Sequence, residues 1–525
     1  MAGSRSSKLS RTFETLVTAF SLALLSAAAT LWFLESGDLL YYGDAQAHLN
    51  IARRILDSRT PGYFQIGTVW LPLPHLLLLP FVQDDAWWRS GLAGAFSSGL
   101  SFVAAGMFLF VAMRRLLDDR ASAVVSLSVF ALNPNLLYLQ STAMTEPLFF
   151  ACLAALLYFT ILFAKTQSLG AVVGAAVAAL AATLTRYEGW FLIPFVTLYF
   201  LLASQRKRLL AACIFGAIAS LGVFYWLAHN WWFYGDWLEF YRGPYSAKAI
   251  YQRALDAGMA RYPGDHEWRK AWLYFCSAAS MCTGLPVIWP IAAGMIAALW
   301  KRALWPLVLL LLPPLFYIWS IHSGSTPIFV PGLWPYSYYN TRYGLCILPA
   351  LALSAGAIVA VVPSRARVVG AVIVAAAAIM PWILKPRPQA WVCWKESQVN
   401  SEARRAWTKE AAEFLGGRWH KGQGILMSFG DLAGIPQAAG IPLRATLHEG
   451  NIPQWDAVVA RPDLFLREDW AIAMSGDRVC DTIVKAWRSG LRYECVKTIA
   501  IKGAPVIQIY RRLGGLAVSE RSAMR

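Results

Sequence analysis

A chain of 525 residues that is 57% hydrophobic, 14% aromatic and only 15% charged does not read as a water-soluble globule. Its mean hydropathy is +0.46, and its apolar residues form long unbroken runs rather than the alternation of a membrane β-barrel. The formal charge of +17 does not point to nucleic acid, because much of the basic excess lies in short loops between apolar runs, where it orients helices.

A spanning helix needs about 20 mostly apolar residues, and about eleven segments meet that need. They are 14–34, 91–113, 121–139, 145–164, 168–185, 187–204, 208–229, 283–300, 303–321, 343–362 and 367–384. The first run, Leu16 to Leu34, exceeds the usual signal-peptide core of about 7–15 residues, so it reads as a retained anchor even though Ala27–Ala29 imitates a cleavage site. The clusters Arg5/Lys8/Arg11, Arg114/Arg115/Arg120, Arg206/Lys207/Arg208, Lys301/Arg302 and Arg365/Arg367 fall on one side, and Lys165 adds to it. Cytoplasmic loops collect Lys and Arg, so the N-terminus is expected inside and everything after about 385 outside.

The long connections 35–90, 230–282 and 322–342 then face outward, rich in Trp and Tyr suited to the headgroup level. The fold class expected is a polytopic α-helical membrane protein, 1–390, followed by a small extracytoplasmic α/β domain, 391–525. In that domain Ser401–Leu415 and Val479–Ser489 have helical period, while Ile425–Phe429, Ala457–Ala460, Trp470–Met474, Tyr493–Ile501 and Val506–Tyr510 read as strands. It carries no GxGxxG or P-loop. The eight cysteines show no metal-ligand spacing, and Cys480 with Cys495 forms a candidate disulfide in an oxidising compartment.

Candidate functional residues gather at the outward ends of the apolar runs. Asp44 follows Tyr41-Tyr42-Gly43 and would cap a helix over Ala45–Leu56, with His48 one turn along on the same side. A carboxylate there can take a proton from a hydroxyl, so Asp44 is the candidate base. In Gly67-Thr68-Val69-Trp70-Leu71-Pro72-Leu73-Pro74-His75 the two prolines should break regular helix and shape a turn at the membrane surface, with Trp70 and His75 as ligand-binding candidates. Glu146 opens the fourth apolar run beside Pro147 and is the second catalytic candidate. Arg186, Tyr187 and Glu188 stand at a sharp turn between two apolar runs, where retained charge is costly. Asn340, Arg342 and Tyr343 open the tenth run, and Arg342 offers a planar fork suited to phosphate oxygens. Helix capping, local ion pairing and interfacial snorkelling are the structural readings of these same residues.

Tyr42-Gly43-Asp44, Met144-Thr145-Glu146-Pro147, Thr185-Arg186-Tyr187-Glu188-Gly189 and Asn340-Thr341-Arg342-Tyr343, with Leu345 and Leu348-Pro349, resemble motifs of the GT-C class of integral-membrane glycosyltransferases. The nearest likeness is to the family 39 type, which includes protein O-mannosyltransferases and bacterial aminoarabinose transferases, over residues 14–385. The resemblance implies a polyprenyl-phosphate-sugar donor, an extracytoplasmic acceptor and inverting transfer in a cell (inner) membrane. Carried over, Asp44 is the first-loop acid, Glu146 the acid of the second external loop, and Arg342 the group that stabilises the departing lipid phosphate. Asp44 is followed by Ala45-Gln46 where O-mannosyltransferases have adjacent acids, a departure that weakens the case for a protein hydroxyl as acceptor relative to a lipid or glycan. Oligosaccharyltransferases of the class use a divalent metal, for which Asp44, Glu146 and Glu188 could supply oxygen ligands. An obligatory metal is not expected. The competing expectations are a transporter or lipid flippase, which should show repeats and mid-membrane polar groups, and a non-catalytic scaffold for envelope assembly.

Overall fold

The computed structural model describes residues 2–301 and 304–514, with side chains from residue 12 onward. Arg302 and the side chains of Arg5, Lys8 and Arg11 lie outside the described residues. The chain groups into two compact units that interleave in sequence. The first comprises Met1–Leu39, Thr68–Leu77 and Gly94–Val399, and the second Leu40–Gly67, Leu78–Ala93 and Asn400–Arg525. Composition draws one boundary at 390, and the contacts group most of the first long loop with the terminal region.

The first unit is helical. Among the described residues seven helices are long and apolar enough to cross a membrane, or up to nine when each of two bent pairs counts as one span. Two further apolar helices, Leu169–Thr183 and Glu188–Ala203, are shorter, at 15 and 16 residues. The eleven apolar segments thus all fall on helices, but not all on straight spans. Segment 121–139 breaks by 64° between Arg120–Ala131 and Pro134–Gln140, because Asn133 caps the second helix through the Asn135 and Leu136 N–H groups and Pro134 starts it. Segment 283–300 is the second arm of a pair, Trp268–Thr283 and Ile288–Trp300, bent by 84°.

Small residues let these helices approach. Leu169–Thr183, with Ala171, Ala175, Ala176, Ala179 and Ala182 buried, packs against both Glu146–Thr166 and Arg208–Tyr234. Large apolar side chains stand on the outside of the apolar helices: Phe224 is 65% exposed, Val368 70% and Trp232 80%. Such a surface suits hydrocarbon and not water.

The second unit is built on a five-stranded sheet of β1 (Ile425–Met427), β2 (Thr446–Leu447), β3 (Trp470–Met474), β4 (Tyr493–Ile499) and β5 (Ile507–Arg512). The order is β2-β1-β3-β5-β4, parallel from β2 to β3 and antiparallel from β3 to β4. The pleat sends Ile425, Met427, Trp470 and Ile472 to one apolar cluster, with Trp407, Ala411 and Leu415 of helix Val392–Gly416. Leu426, Ala471 and Ala473 go to the other, with Trp455, Val458, Val479 and Ile483.

Three sequence expectations need correction here. Ala457–Ala460 is not a strand but the end of helix Gln454–Ala460, whose buried Trp455 and Val458 lie three apart; a four-residue apolar run does not distinguish the two periods. The strand Thr446–Leu447 was not anticipated, since two residues carry no period. Cys480 and Cys495 are free thiols, as are the other six cysteines. Cys480 Sγ turns to the Met474 carbonyl at 3.3 Å, within its own helix–strand corner, while Cys495 is exposed on β4.

Candidate active site

Glu146 and Glu188 are each the first residue of a helix, Glu146–Thr166 and Glu188–Ala203. A helix start favours a negative side chain, and Pro147 costs nothing there because its missing N–H would have had no helical partner. Glu188 enters through a close approach: a Cβ on Gly189 would lie 2.5 Å from the Ala182 carbonyl carbon, so only glycine lets this helix begin against the backbone of its neighbour. Arg342 lies in the 3₁₀ turn Thr341–Ile347. Its direction is set by Asn340, whose left-handed backbone (φ +53°) is locked by a side-chain bond to the Pro327 carbonyl at 3.0 Å. Gly344 repeats the device, since a Cβ there would sit 2.5 Å from the Ala278 carbonyl carbon.

These elements bring distant charges together inside the helical unit. The Arg186 guanidinium bonds Glu188 Oε1 through Nε at 2.8 Å, pairs with Glu146 Oε1 through Nη1 at 3.1 Å, and donates to Thr145 Oγ1 and the Tyr317 hydroxyl at 2.6 Å each. Tyr317 in turn donates to Glu188 Oε1. Arg342 Nε faces Glu146 Oε1 at 3.4 Å and its Nη1 bonds Glu396 Oε1 at 3.1 Å. Both guanidinium groups lie over the Tyr343 ring, at 5.4 Å for Arg186 and 4.8 Å for Arg342, and Tyr343 stacks on Tyr317 at 4.7 Å. Glu146, Glu188, Arg342 and Glu396 are 5%, 4%, 6% and 1% exposed. Isolated, each such ion would cost on the order of several kcal/mol to bury, so pairing is what permits the cluster. Glu146 Oε2 has no hydrogen-bond partner among the described residues.

Of the residues singled out in the sequence, Glu146, Arg186, Glu188, Arg342 and Tyr343 form this cluster, and Asn340 shapes it. Tyr187 lies beside it, donating to the Val69 carbonyl at 2.7 Å and accepting from Trp226 Nε1 at 3.3 Å. That bond ties down the segment holding Trp70 and His75, as does the Leu73 N–H to the Leu184 carbonyl at 3.0 Å. Pro72 and Pro74 do not break a helix there. They occupy the first turn of Pro72–Leu78, where proline is tolerated, and His75 on that helix is fully buried. Glu396 and Tyr317 were missed, and Thr145, although part of a quoted motif, was given no role. Tyr317 reads as one more aromatic in an apolar span; the signal was a hydroxyl that must find a partner there. Glu396 reads as part of a polar stretch before the expected helix at 401. Extending that helix backward puts Glu396 and Ser397 on the stripe of Cys393, Ser401, Trp407 and Ala411.

Asp44 and His48 belong to the second unit. Their helix is Gly43–Leu56, capped by the extended backbone of Tyr42, so Asp44 is a half-buried first-turn residue and not the cap itself. His48, one turn on, is buried. The helix is fixed within its unit by Gln46 Nε2 to Gln437 Oε1 at 3.0 Å, Asn50 Nδ2 to the Ala433 carbonyl at 3.3 Å and Trp88 Nε1 to Asn50 Oδ1 at 3.0 Å. Arg404 donates to the Tyr41 carbonyl at 2.6 Å.

Glu146, Glu188 and Glu396, as they are placed, do not fit a divalent cation. Glu146 and Glu188 are turned onto guanidinium groups, and Glu396 is shared between Arg342 and Thr341. A cation would have to displace an arginine whose charge already fills the place.

A family described as dolichyl-phosphate-mannose-protein mannosyltransferase matches residues 89–232. By sequence, no curated protein matches the chain. The structure is similar to the crystal structure of ArnT from Cupriavidus metallidurans bound to undecaprenyl phosphate, with a TM-score of 0.56 at 14% identity over 93% of this chain and 97% of that one. The apo state of the same protein gives 0.54 at 14% identity and the same coverage.

Proposed function

With the fold of the GT-C membrane glycosyltransferases in place, we propose that this chain transfers a sugar from a polyprenyl-phosphate-linked donor to an acceptor outside the cytoplasm, a lipid, glycan or protein. The observation that carries the reading is the buried cluster of Glu146, Arg186, Glu188 and Arg342, assembled from separate helix starts within an apolar bundle. The ArnT structure with undecaprenyl phosphate supports the class of carrier. The N-terminus lies in the cytoplasm, and the sheet-containing unit lies outside the cell (inner) membrane, as the basic loops direct.

Asp44 takes the proton of the acceptor hydroxyl, and the freed oxygen attacks the anomeric carbon on the face opposite the phosphate. The bond from that carbon to the phosphate oxygen breaks, its electron pair leaves with the polyprenyl phosphate, and the configuration inverts. Arg342, with Arg186, stabilises the charge that builds on the leaving phosphate. Both arginines already serve carboxylates, so the phosphate shares them. Glu146 Oε2 is the oxygen open to a hydroxyl of the sugar, and Glu188, Trp70, His75, Tyr187, Asn340 and Tyr343 shape the surroundings; His48, one turn from Asp44, assists with the acceptor. A resident metal has no part in these steps.

The test is transfer of radiolabelled sugar from polyprenyl-phosphate donors by the full chain in proteoliposomes, with mass spectrometry of envelope lipids and glycans from cells with and without it. Asp44→Asn is expected to lower transfer by about a hundredfold or more, within the usual range for removing a general base, with unchanged folding. An envelope that does not differ, together with no polyprenyl phosphate released, would discard the reading.

A further inference from the structure

Three buried carboxylates surround two guanidinium groups, and Glu146 with Glu188 would suffice to balance Arg186 and Arg342. Glu396 is the surplus acid, and it is the most deeply buried of the three. Burial pushes its carboxyl above the usual range, against the pull of Arg342 and Thr341. A third negative charge in such a place is costly unless it returns something the other two do not.

What it returns is geometric. One oxygen, Oε2, accepts the Thr341 backbone N–H at 2.6 Å and the Thr341 hydroxyl; the other, Oε1, accepts Arg342 Nη1 at 3.1 Å. A single carboxylate thus brackets the main chain of one residue and the side chain of the next. A guanidinium is planar and rigid, so fixing Nη1 from this side and Nε from the Glu146 side, over the Tyr343 ring, determines its plane and heading. Removing Glu396 takes away the 3.1 Å bond on Nη1 and leaves the Glu146 side of the fork with its longer 3.4 Å contact.

We propose that Glu396 is a positioning residue of the transfer site, which sets the orientation of the Arg342 guanidinium toward the departing phosphate. The role rests on the transferase reading above. Misplacing a charged group by about an ångström costs on the order of tenfold to a hundredfold in rate, so E396Q is expected to lower kcat by that much while KM for the lipid-phosphate sugar changes little.

The experiment is a double-substitution cycle on the full chain in proteoliposomes, with E396Q, R342K, the pair, and E396D. In the R342K background E396Q is expected to add no more than about a twofold loss, because it acts through a fork no longer present. E396D keeps the charge, withdrawn by one methylene, and should recover part of the rate. Wild-type kcat in E396Q, or losses that multiply in the pair, would overturn the role. If E396Q does not reach the membrane folded, E396D carries the test: a reduced kcat supports the role and a wild-type kcat overturns it. A wild-type chain that transfers nothing from any polyprenyl-phosphate sugar discards the transferase reading, and this role with it, a result distinct from a working enzyme indifferent to Glu396.

Discussion

In the helical unit large apolar side chains such as Trp232 and Val368 point outward while guanidinium and carboxylate groups lie inside; in the α/β unit Trp470 and Ile472 fill the interior. Both units also bury ions. In the α/β unit Arg53 bonds Asp57 at 3.2 Å, Asp85 at 2.5 Å and the Val82 and Gln83 carbonyls, and Arg59 pairs with Glu468 at 2.6 Å. The difference is in what surrounds the ions. Asp85 and Arg444, partners in this network, are largely exposed, whereas no acid or base paired in the Glu146 cluster exceeds 13% side-chain exposure. Where the outside is hydrocarbon, a charge has no fallback in solvent and must be held by partners inside the bundle. Where the outside is water, an unmatched ion can turn outward, and stability rests on apolar packing.

The contrast would break first at Arg186. Arg186→Ala removes the guanidinium paired with Glu188 and one of the two paired with Glu146, and should cost about 3–5 kcal/mol, the usual loss when one partner of a buried pair is removed. The check is the melting temperature and monodisperse yield in detergent, and a shift no larger than that of a surface substitution would refute the contrast. Next comes Ile472→Ala at the centre of the sheet, expected to cost about 2–5 kcal/mol by creating a cavity. Limited proteolysis should show cleavage confined to the α/β unit, with the helical unit intact. The smallest effect is a titration. Burial, aided by Arg54 and Arg59, holds the His448 imidazole well below its ordinary value. The unfolded chain therefore takes up this proton first, and stability falls as pH drops below about 6.5, by at most about 1.4 kcal/mol per pH unit. Burial raises Glu449, which works oppositely: its favourable contribution is lost as pH rises from about 4.5. Thermal melts from pH 7.5 to 5.5 should show the His448 slope, and His448→Gln should flatten it.

Much of this was legible in the sequence because lipid imposes long, simple patterns. Every apolar run became a helix, and the charges left at their ends, Glu146, Arg186, Glu188 and Arg342, met. What stayed hidden depends on contacts that no short window contains. Glu396 is 54 positions from its arginine partner, and its helix begins nine residues before the polar period becomes evident at Ser401. The 64° break at Asn133 was signalled by Asn-Pro inside an apolar run, but hydrophobicity alone outweighed it. The grouping of Asp44 with the terminal region could not be read at all, since Gln46 and Gln437 look unremarkable until they bond.

Gly189 and Gly344 stand one and two residues beyond Glu188 and Arg342, each seated on another helix's main chain. The place of each charge is therefore gauged by backbone against backbone, which every amino acid shares. Exchanges among the surrounding hydrophobic side chains leave those main-chain contacts in place. A single added methyl at either glycine, by contrast, would shift a charge in one step.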